Sequence, residues 1–322
     1  MTAHSANLGA DVGAERGADA LGPAVTVEVA DGVFAYVQPD GSWWINNTGF
    51  VVGSDDVVAI DASSTERRTR ALLAAVAAVT ATPVRTLVNT HHHGDHTNGN
   101  CLFTDAVVVG HRNCRAGVRQ QSIGGLEPIF GAVDWGALTV RPPTLVLDDR
   151  LDVYVGDRLI ELHYVGTPAH TTGDVVAWLP EERVLFAGDV VFNGGTPFVL
   201  MGSVDGALDA LERVRAFDPL TIVPGHGPVC GPEVLDEVGG YLQMVQRVAV
   251  RALEAGLSPL DAARETDLGD YATLHDSERI AGNLHRAMAE LSGTPRGGAV
   301  DIIAAFTDMI ALNGGSPLRC LA

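Results

Sequence analysis

The run His91-His92-His93-Gly94-Asp95-His96 constrains this chain more than any other part of it. In extended backbone, alternate residues project to the same side. His91, His93 and Asp95 can therefore converge, while His96 turns toward a neighbouring position. Such a loop offers imidazole and carboxylate ligands with two different aims, which suits two adjacent metal ions better than one. His92 is read as a non-ligand. The preceding run TPVRTLVNT reads as a strand that delivers the loop to the end of a sheet, where sites in α/β proteins usually lie.

Three later segments belong to the same pattern. GTPAHTTGD places His170 in a tight turn after the strand-like LIELHYVG. LFAGDVVF places Asp189 at the end of a buried apolar strand, where an unpaired carboxylate is costly. IVPGHGP places His226 in another strand-end turn. Each is weak alone; in this order, downstream of the histidine-rich loop, they are strong.

The rest of the chain reads as two similar halves. VTVEVA, VFAYVQ, TGFVVG and VVAIDA are short Val/Ile-rich strands separated by turn signals, followed by a helix over 65–79 with Ser64 as its cap. TLVLDD, LDVYVG, LIELHYVG, VVAWLP and VLFAGDVVF are strands, with a helix over 204–216 before TIVPGHGP. Two strand-rich halves, each with a helix, predict two packed sheets with helices outside. Helices are expected over 232–254, 258–266, 277–291 and 298–312. Residues 1–24 show no apolar period and are expected to form a disordered tail.

These pieces, THHHGDH, GTPAHTTGD, FAGD and VPGHGP with the strand pair NNTGFVVG and VVAIDA ahead of them, resemble the metallo-β-lactamase superfamily over most of residues 25–231. The resemblance implies an α/β fold, a four-layer αββα sandwich with a two-metal site in the cleft between the sheets. It makes 25–231 the metallo-β-lactamase-fold domain and 232–322 a C-terminal helical extension packed on it. It also implies that His91, His93 and His170 hold one ion, that Asp95, His96 and His226 hold the other, and that Asp189 bridges both. Imidazole and carboxylate suit Zn²⁺, and equally iron or manganese. Two such ions can share a hydroxide whose parent water has its pKa lowered to around 7. Asp95 is then the catalytic candidate for orienting that hydroxide. Asp61, closing VVAIDA, is either a partner behind one histidine or a simple strand-end turn residue.

Substrate contacts are less constrained. In relatives the hairpin corresponding to the one carrying Trp43, Trp44 and Asn46 overhangs the metals, so a tryptophan there is either a substrate wall or core packing. Segment 119–143 has apolar residues, Phe130 and Trp135 among them, yet no strand or helix period. Together with the C-terminal helices it is expected to form a lid accepting a mostly apolar acyl compound. His111, His163, His275 and His285 are expected to be structural or exposed.

Composition narrows the function further. With 40 acidic against 21 basic residues the formal charge is −19, a poor surface for nucleic acid. The four cysteines lie far apart without a CxxC pair, which suits a reducing compartment. Neither a secretory signal pattern nor a membrane-length apolar run is present, so a cytoplasmic enzyme is expected, and a homo-oligomer is left open. Within the family, true lactamases with histidine-rich sites generally lack an Asp at the position of Asp189, and hydroxyacylglutathione hydrolases carry a basic C-terminal cluster that is missing here. A hydrolase acting on an ester, thioester, lactone or related acyl substrate is therefore expected. The alternatives are a mononuclear iron persulfide dioxygenase, with His91, His170 and Asp189 as its triad, then a β-lactam hydrolase, and last a non-catalytic binding scaffold.

Overall fold

The computed structural model describes residues 21–322; most of the expected tail, residues 1–20, lies outside the described residues. The first sheet has seven strands in chain order: β1 (Val25–Ala30), β2 (Val33–Val37), β3 (Thr48–Val52), β4 (Val57–Ile60), β5 (Val84–Asn89), β6 (Val107–His111) and β7 (Leu145–Leu147). The second has five: β8 (Arg150–Val155), β9 (Arg158–Tyr164), β10 (Val175–Leu179), β11 (Val184–Phe192) and β12 (Thr221–His226), in the order β12-β11-β10-β9-β8.

Side-chain alternation explains why these strands stack into layers. Along β4, Val58 and Ile60 face the second sheet, while Val57 and Ala59 face α1 (Glu66–Val79). Along β10, Val175, Ala177 and Leu179 join the inter-sheet core, whereas Val176 and Trp178 join the outer one. That outer core is closed by α5 (Val204–Ala216), α6 (Val234–Ala255), α8 (Arg279–Leu291) and α9 (Ile302–Leu312). Strands covered on both faces read as continuous apolar runs, and each fully buried Val, Leu or Ile contributes about 1.5–3 kcal/mol of transfer free energy. The result is the four-layer arrangement the sequence predicts. Gly49 sits where Phe186 of the second sheet presses on the first: a β-carbon there would collide with the Phe186 ring.

The local differences from the sequence reading have physical causes. The first helix is capped by Thr65, not Ser64: Thr65 has extended backbone and accepts from Arg68 N–H at 3.3 Å. Neither β6 nor α3 (Arg112–Val118) is marked by a sequence pattern; β6 is a short parallel strand, second from the sheet edge, with little alternation to betray it. The last helix begins at Ile302 rather than 298, because Asp301 supplies the cap, accepting from Ala304 N–H at 2.9 Å. The expected irregular segment 119–143 contains one turn of helix, α4 (Glu127–Phe130). Between α6 and α8 lies α7 (Pro259–Glu265). Among the described residues, no helix is long and apolar enough to cross a membrane.

Candidate metal centre

Strand direction gathers the polar residues at one edge. Strands β4 and β5 run parallel, as do β11 and β12, so their carboxyl ends open on the same side of the sandwich. Asp61 follows β4, the histidine loop follows β5, Asp189 lies in the last part of β11 and His226 ends β12. His170 arrives from the turn between β9 and β10. The loop after β5 runs into the short helix α2 (Gly94–Thr97), for which His93 is the extended N-cap residue. This break in the extended chain lets Asp95 and His96 take a different aim from His91 and His93.

The structure brings all seven sequence-predicted ligands together. They form two groups, His91, His93, His170 and Asp189, and Asp95, His96 and His226; within each group the donor atoms lie within 4.8 Å of one another. Asp189 is central, with His96 Nε2 3.0 Å from its Oδ1, and His170 Nε2 and His226 Nε2 each 3.3 Å from its Oδ2. His91 Nε2 is 3.9 Å from Asp189 Oδ2 and His226 Nε2 is 3.2 Å from Asp95 Oδ2. Gly225 makes this possible: a β-carbon at that position would strike Asp189 Oδ1.

The far side of each ring shows which nitrogen is free. His96 Nδ1 donates to Asp61 Oδ2 at 2.8 Å, and His226 Nδ1 donates to the Gly41 carbonyl at 3.1 Å. His170 Nδ1 donates to the Phe198 carbonyl. Thr90 gives its hydroxyl proton to Asp61 Oδ2 at 2.7 Å, so its oxygen accepts from His91 Nδ1 at 3.1 Å. In these four histidines a pure acceptor, or one already committed as such, holds a proton on Nδ1, so Nε2 is the atom that faces inward and would meet a cation. His93 is turned the other way, with Nε2 3.0 Å from Met201 Sδ and Nδ1 2.7 Å from His170 Nε2.

Three inward atoms, His91 Nε2, His96 Nε2 and Asp189 Oδ1, are buried and have no hydrogen-bond partner. The 3.0 Å between the last two is a charge contact without hydrogen-bond alignment. Orphaned buried donors and acceptors are expensive, and a pair of divalent cations, one beside His91 and one beside His96, would satisfy all three. The residues fit a two-ion centre of nitrogen and oxygen ligands.

Electrostatics point the same way. Burial, aided by neighbouring imidazoles, holds His91 and His93 well below the usual histidine range, so their lone pairs are free at neutral pH. Burial opposes charge on Asp189, but His226, His96, His170 and His91 outweigh it and hold its carboxyl well below the usual range. Burial also works against a proton on His226, yet Asp189 and Asp95 push it up to about 9. Without cations, this part of the site compensates its carboxylates with protons; cations displace them.

The second layer was only half legible. Asp61, left open between two roles, stands behind His96 and also accepts from Thr90 N–H at 2.8 Å. Its φ of 62° lies in the left-handed region, which Asp tolerates better than most residues. Thr90, Gly41, Phe198 and Met201 were not foreseen; of these only Thr90, beside His91 in sequence, carried a local signal. His92 points away from the centre toward Gly117. His111 stacks on Tyr164, His163 pairs with Glu161, His285 pairs with Asp308, and the backbone of His275 bridges to Gly195.

Above the centre is a cavity of about 680 Å³ whose walls include Trp43, Trp44, Phe130 and Trp135. Trp44 packs edge-on against Trp135 and Phe130, with ring centroids 4.7 and 5.6 Å apart, and Trp43 against Phe130 at 5.4 Å. These residues therefore both pack together and line the space. Helix α9 adds Ile302, Ile303, Phe306 and Ile310, with Phe306 packed against Trp43 and Phe130. His93, Asp95, His170, Asp189 and His226 form its floor.

Comparison with known proteins agrees with this picture. Residues 41–226, more than half of the chain, match the family model of the metallo-beta-lactamase superfamily. A beta-lactamase-like protein 2 homolog of Caenorhabditis elegans is 28% identical over 53% of this chain and 51% of its own length. A hydroxyacylglutathione hydrolase of Rhodospirillum rubrum is 33% identical over 46% of this chain and 47% of its own. The chain thus spans about half the length of these curated relatives. An acyl-coenzyme A thioesterase of Bos taurus is 28% identical over 52% of this chain and 67% of its own. The solved structure of a metallo-beta-lactamase from Pontibacter korlensis superposes with a TM-score of 0.57 at 20% identity, covering 68% of this chain and 99% of that one, a likeness of fold. By sequence match and by fold, the chain belongs to the metallo-beta-lactamase superfamily.

Proposed function

We propose that this protein is a hydrolase dependent on two divalent metal ions, with zinc the first candidate, that cleaves an ester, thioester or related acyl bond in a mostly apolar substrate. His91, His93 and His170 would hold one ion, Asp95, His96 and His226 the other, with Asp189 between them. The observation that carries the reading is the set of inward, tautomer-fixed imidazoles around an orphaned carboxylate oxygen, at the floor of an aromatic-walled cavity. Relatives named for hydroxyacylglutathione and acyl-coenzyme A substrates support the acyl class.

When bound, the ions supply Lewis acidity toward a carbonyl and lower the pKa of a shared water. The remaining work falls to the chain. Burial opposes ionisation of Asp95, but His96 and His226 outweigh it and hold its carboxyl below the usual range, so it stands ready as a proton acceptor at the cavity floor. Asp61 and Thr90 keep His96 and His91 in the tautomers that point Nε2 inward. Trp44, Phe130, Trp135 and α9 wall the cavity, exclude water and favour an apolar acyl group. The four free cysteines suit a reducing, cytoplasmic setting.

Elemental analysis together with a panel of esters, thioesters, lactones and a cephalosporin tests the proposal. The expected result is two divalent ions per chain and metal-dependent acyl hydrolysis that improves with acyl length. One iron per chain with oxygen consumption on a persulfide would replace this reading with the dioxygenase one, and turnover of the cephalosporin alone would replace it with β-lactam hydrolysis.

A further inference from the structure

Helix α8 buries a polar stripe. Arg279, Asn283 and Arg286 follow one another at i, i+4 and i+7, on one side of the helix, and each is at most 1% exposed. All three reach the same loop, residues 196–200, which follows β11. Arg279 donates to the Thr196 carbonyl at 2.9 Å. Asn283 Nδ2 donates to the Pro197 carbonyl at 2.7 Å, and Asn283 Oδ1 accepts from Val199 N–H at 3.0 Å. Arg286 donates to the Leu200 carbonyl from two nitrogens, at 2.9 and 2.7 Å. Apolar side chains of similar volume would fill this helix face without the desolvation cost of two guanidinium groups and an amide. What the polar stripe provides instead is a fixed backbone.

The Phe198 carbonyl lies between the two peptide groups that Asn283 grips, and it accepts from His170 Nδ1. We propose that Asn283 is a positioning residue for the metal centre: by clamping Pro197 and Val199 it fixes the Phe198 carbonyl, which fixes the tautomer and aim of His170. Helix α8 thereby becomes a working part of the centre, although it lies beyond the residues 41–226 that match the family. The inference rests on the two-ion reading above.

The test is a cobalt(II) titration of metal-stripped full-length protein, followed by its visible absorption, alongside thermal melting. Wild type should take up two ions. In Asn283→Ala one ion should bind as in wild type, and the other should weaken by about 10–100-fold, the usual cost of losing a partner behind a metal-ligating histidine. Asn283→Asp fits the same space and keeps the acceptor for Val199 N–H but loses the donor to Pro197; it should weaken the same ion. Tyr241→Phe removes the other contact of Asn283, a 3.1 Å bond to the tyrosine hydroxyl, from the same core; both affinities should be those of wild type. Unchanged affinities in both Asn283 variants, or equal weakening of both ions in step with lower melting temperature, would overturn the inference alone. So would failure of both variants to fold, or selective weakening in Tyr241→Phe. A wild-type protein that takes up fewer than two ions would overturn the two-ion reading and this inference with it.

Discussion

Replacing Asp61 by Asn separates the charge and acceptor role of this residue from its backbone role. Asp61 takes three donors: Thr90 N–H at 2.8 Å, Thr90 Oγ1 at 2.7 Å and His96 Nδ1 at 2.8 Å. Asn also tolerates the left-handed φ of 62°, so the main chain has no reason to move. The amide oxygen can still accept from Thr90 N–H, but its NH₂ group then faces His96 Nδ1–H. The hydroxyl of Thr90 can rotate and accept; the imidazole can only relieve the clash by moving its proton to Nε2, the atom meant for the ion. Loss of such a partner costs about 10–100-fold in metal affinity, which is about 1.4–2.7 kcal/mol. A chelator competition on metal-free protein reads this directly: the ion on His96 should weaken by that factor, and the ion on His91 by less, because a rotated Thr90 hydroxyl still has a lone pair for His91 Nδ1–H. If Asp61→Asn held both ions as tightly as wild type, the tautomer argument would be refuted, whatever happened to turnover.

Three further outcomes are expected. Asp189→Ala should lose both ions and more than about 100-fold of turnover together, because the carboxylate faces both ligand groups; elemental analysis beside a rate assay checks it, and two retained ions would deny the bridging role. Phe130→Ala and Trp135→Ala should lower kcat/KM at least about tenfold, roughly 1.4 kcal/mol, for a long-chain acyl substrate while sparing a short generic ester, with metal content unchanged; equal losses on both substrates would reduce the lid to packing. Leu72→Ala, a fully buried contact between α1 and the first sheet, should cost about 2–5 kcal/mol of stability in denaturant titration and leave the affinity for both ions intact.

All seven proposed ligands were legible in the sequence because each lies in a short motif whose aim is set locally, by the period of an extended chain or by a turn at a strand end. Asp189 stood out because a carboxylate in an apolar strand needs a partner. The layers were legible for a similar reason: alternating and continuous apolar runs declare which faces of a strand are covered. Strand β6 escaped because three valines before Gly and His show neither period, and the first helix shifted by a residue because Ser64 and Thr65 are equally good caps until the backbone conformation selects one.

Tertiary structure alone decided which backbone stands behind the proposed ligands. His226 leans on a carbonyl 185 residues away, and Asn283 grips a loop 84 and 86 residues away. Backbone carbonyls carry no residue identity, so no sequence pattern marks Gly41 or Phe198 for these tasks. The apolar composition of segment 119–143 suggests a cover shared with the C-terminal helices, but which helix meets it, α9 with Phe306 6.1 Å from Phe130 between ring centroids, follows from how the outer helices pack. Ligand identity is a property of a residue and its near neighbours, whereas the support that fixes a ligand's proton and aim is made by whichever distant backbone the fold brings within 3 Å or so of the ring.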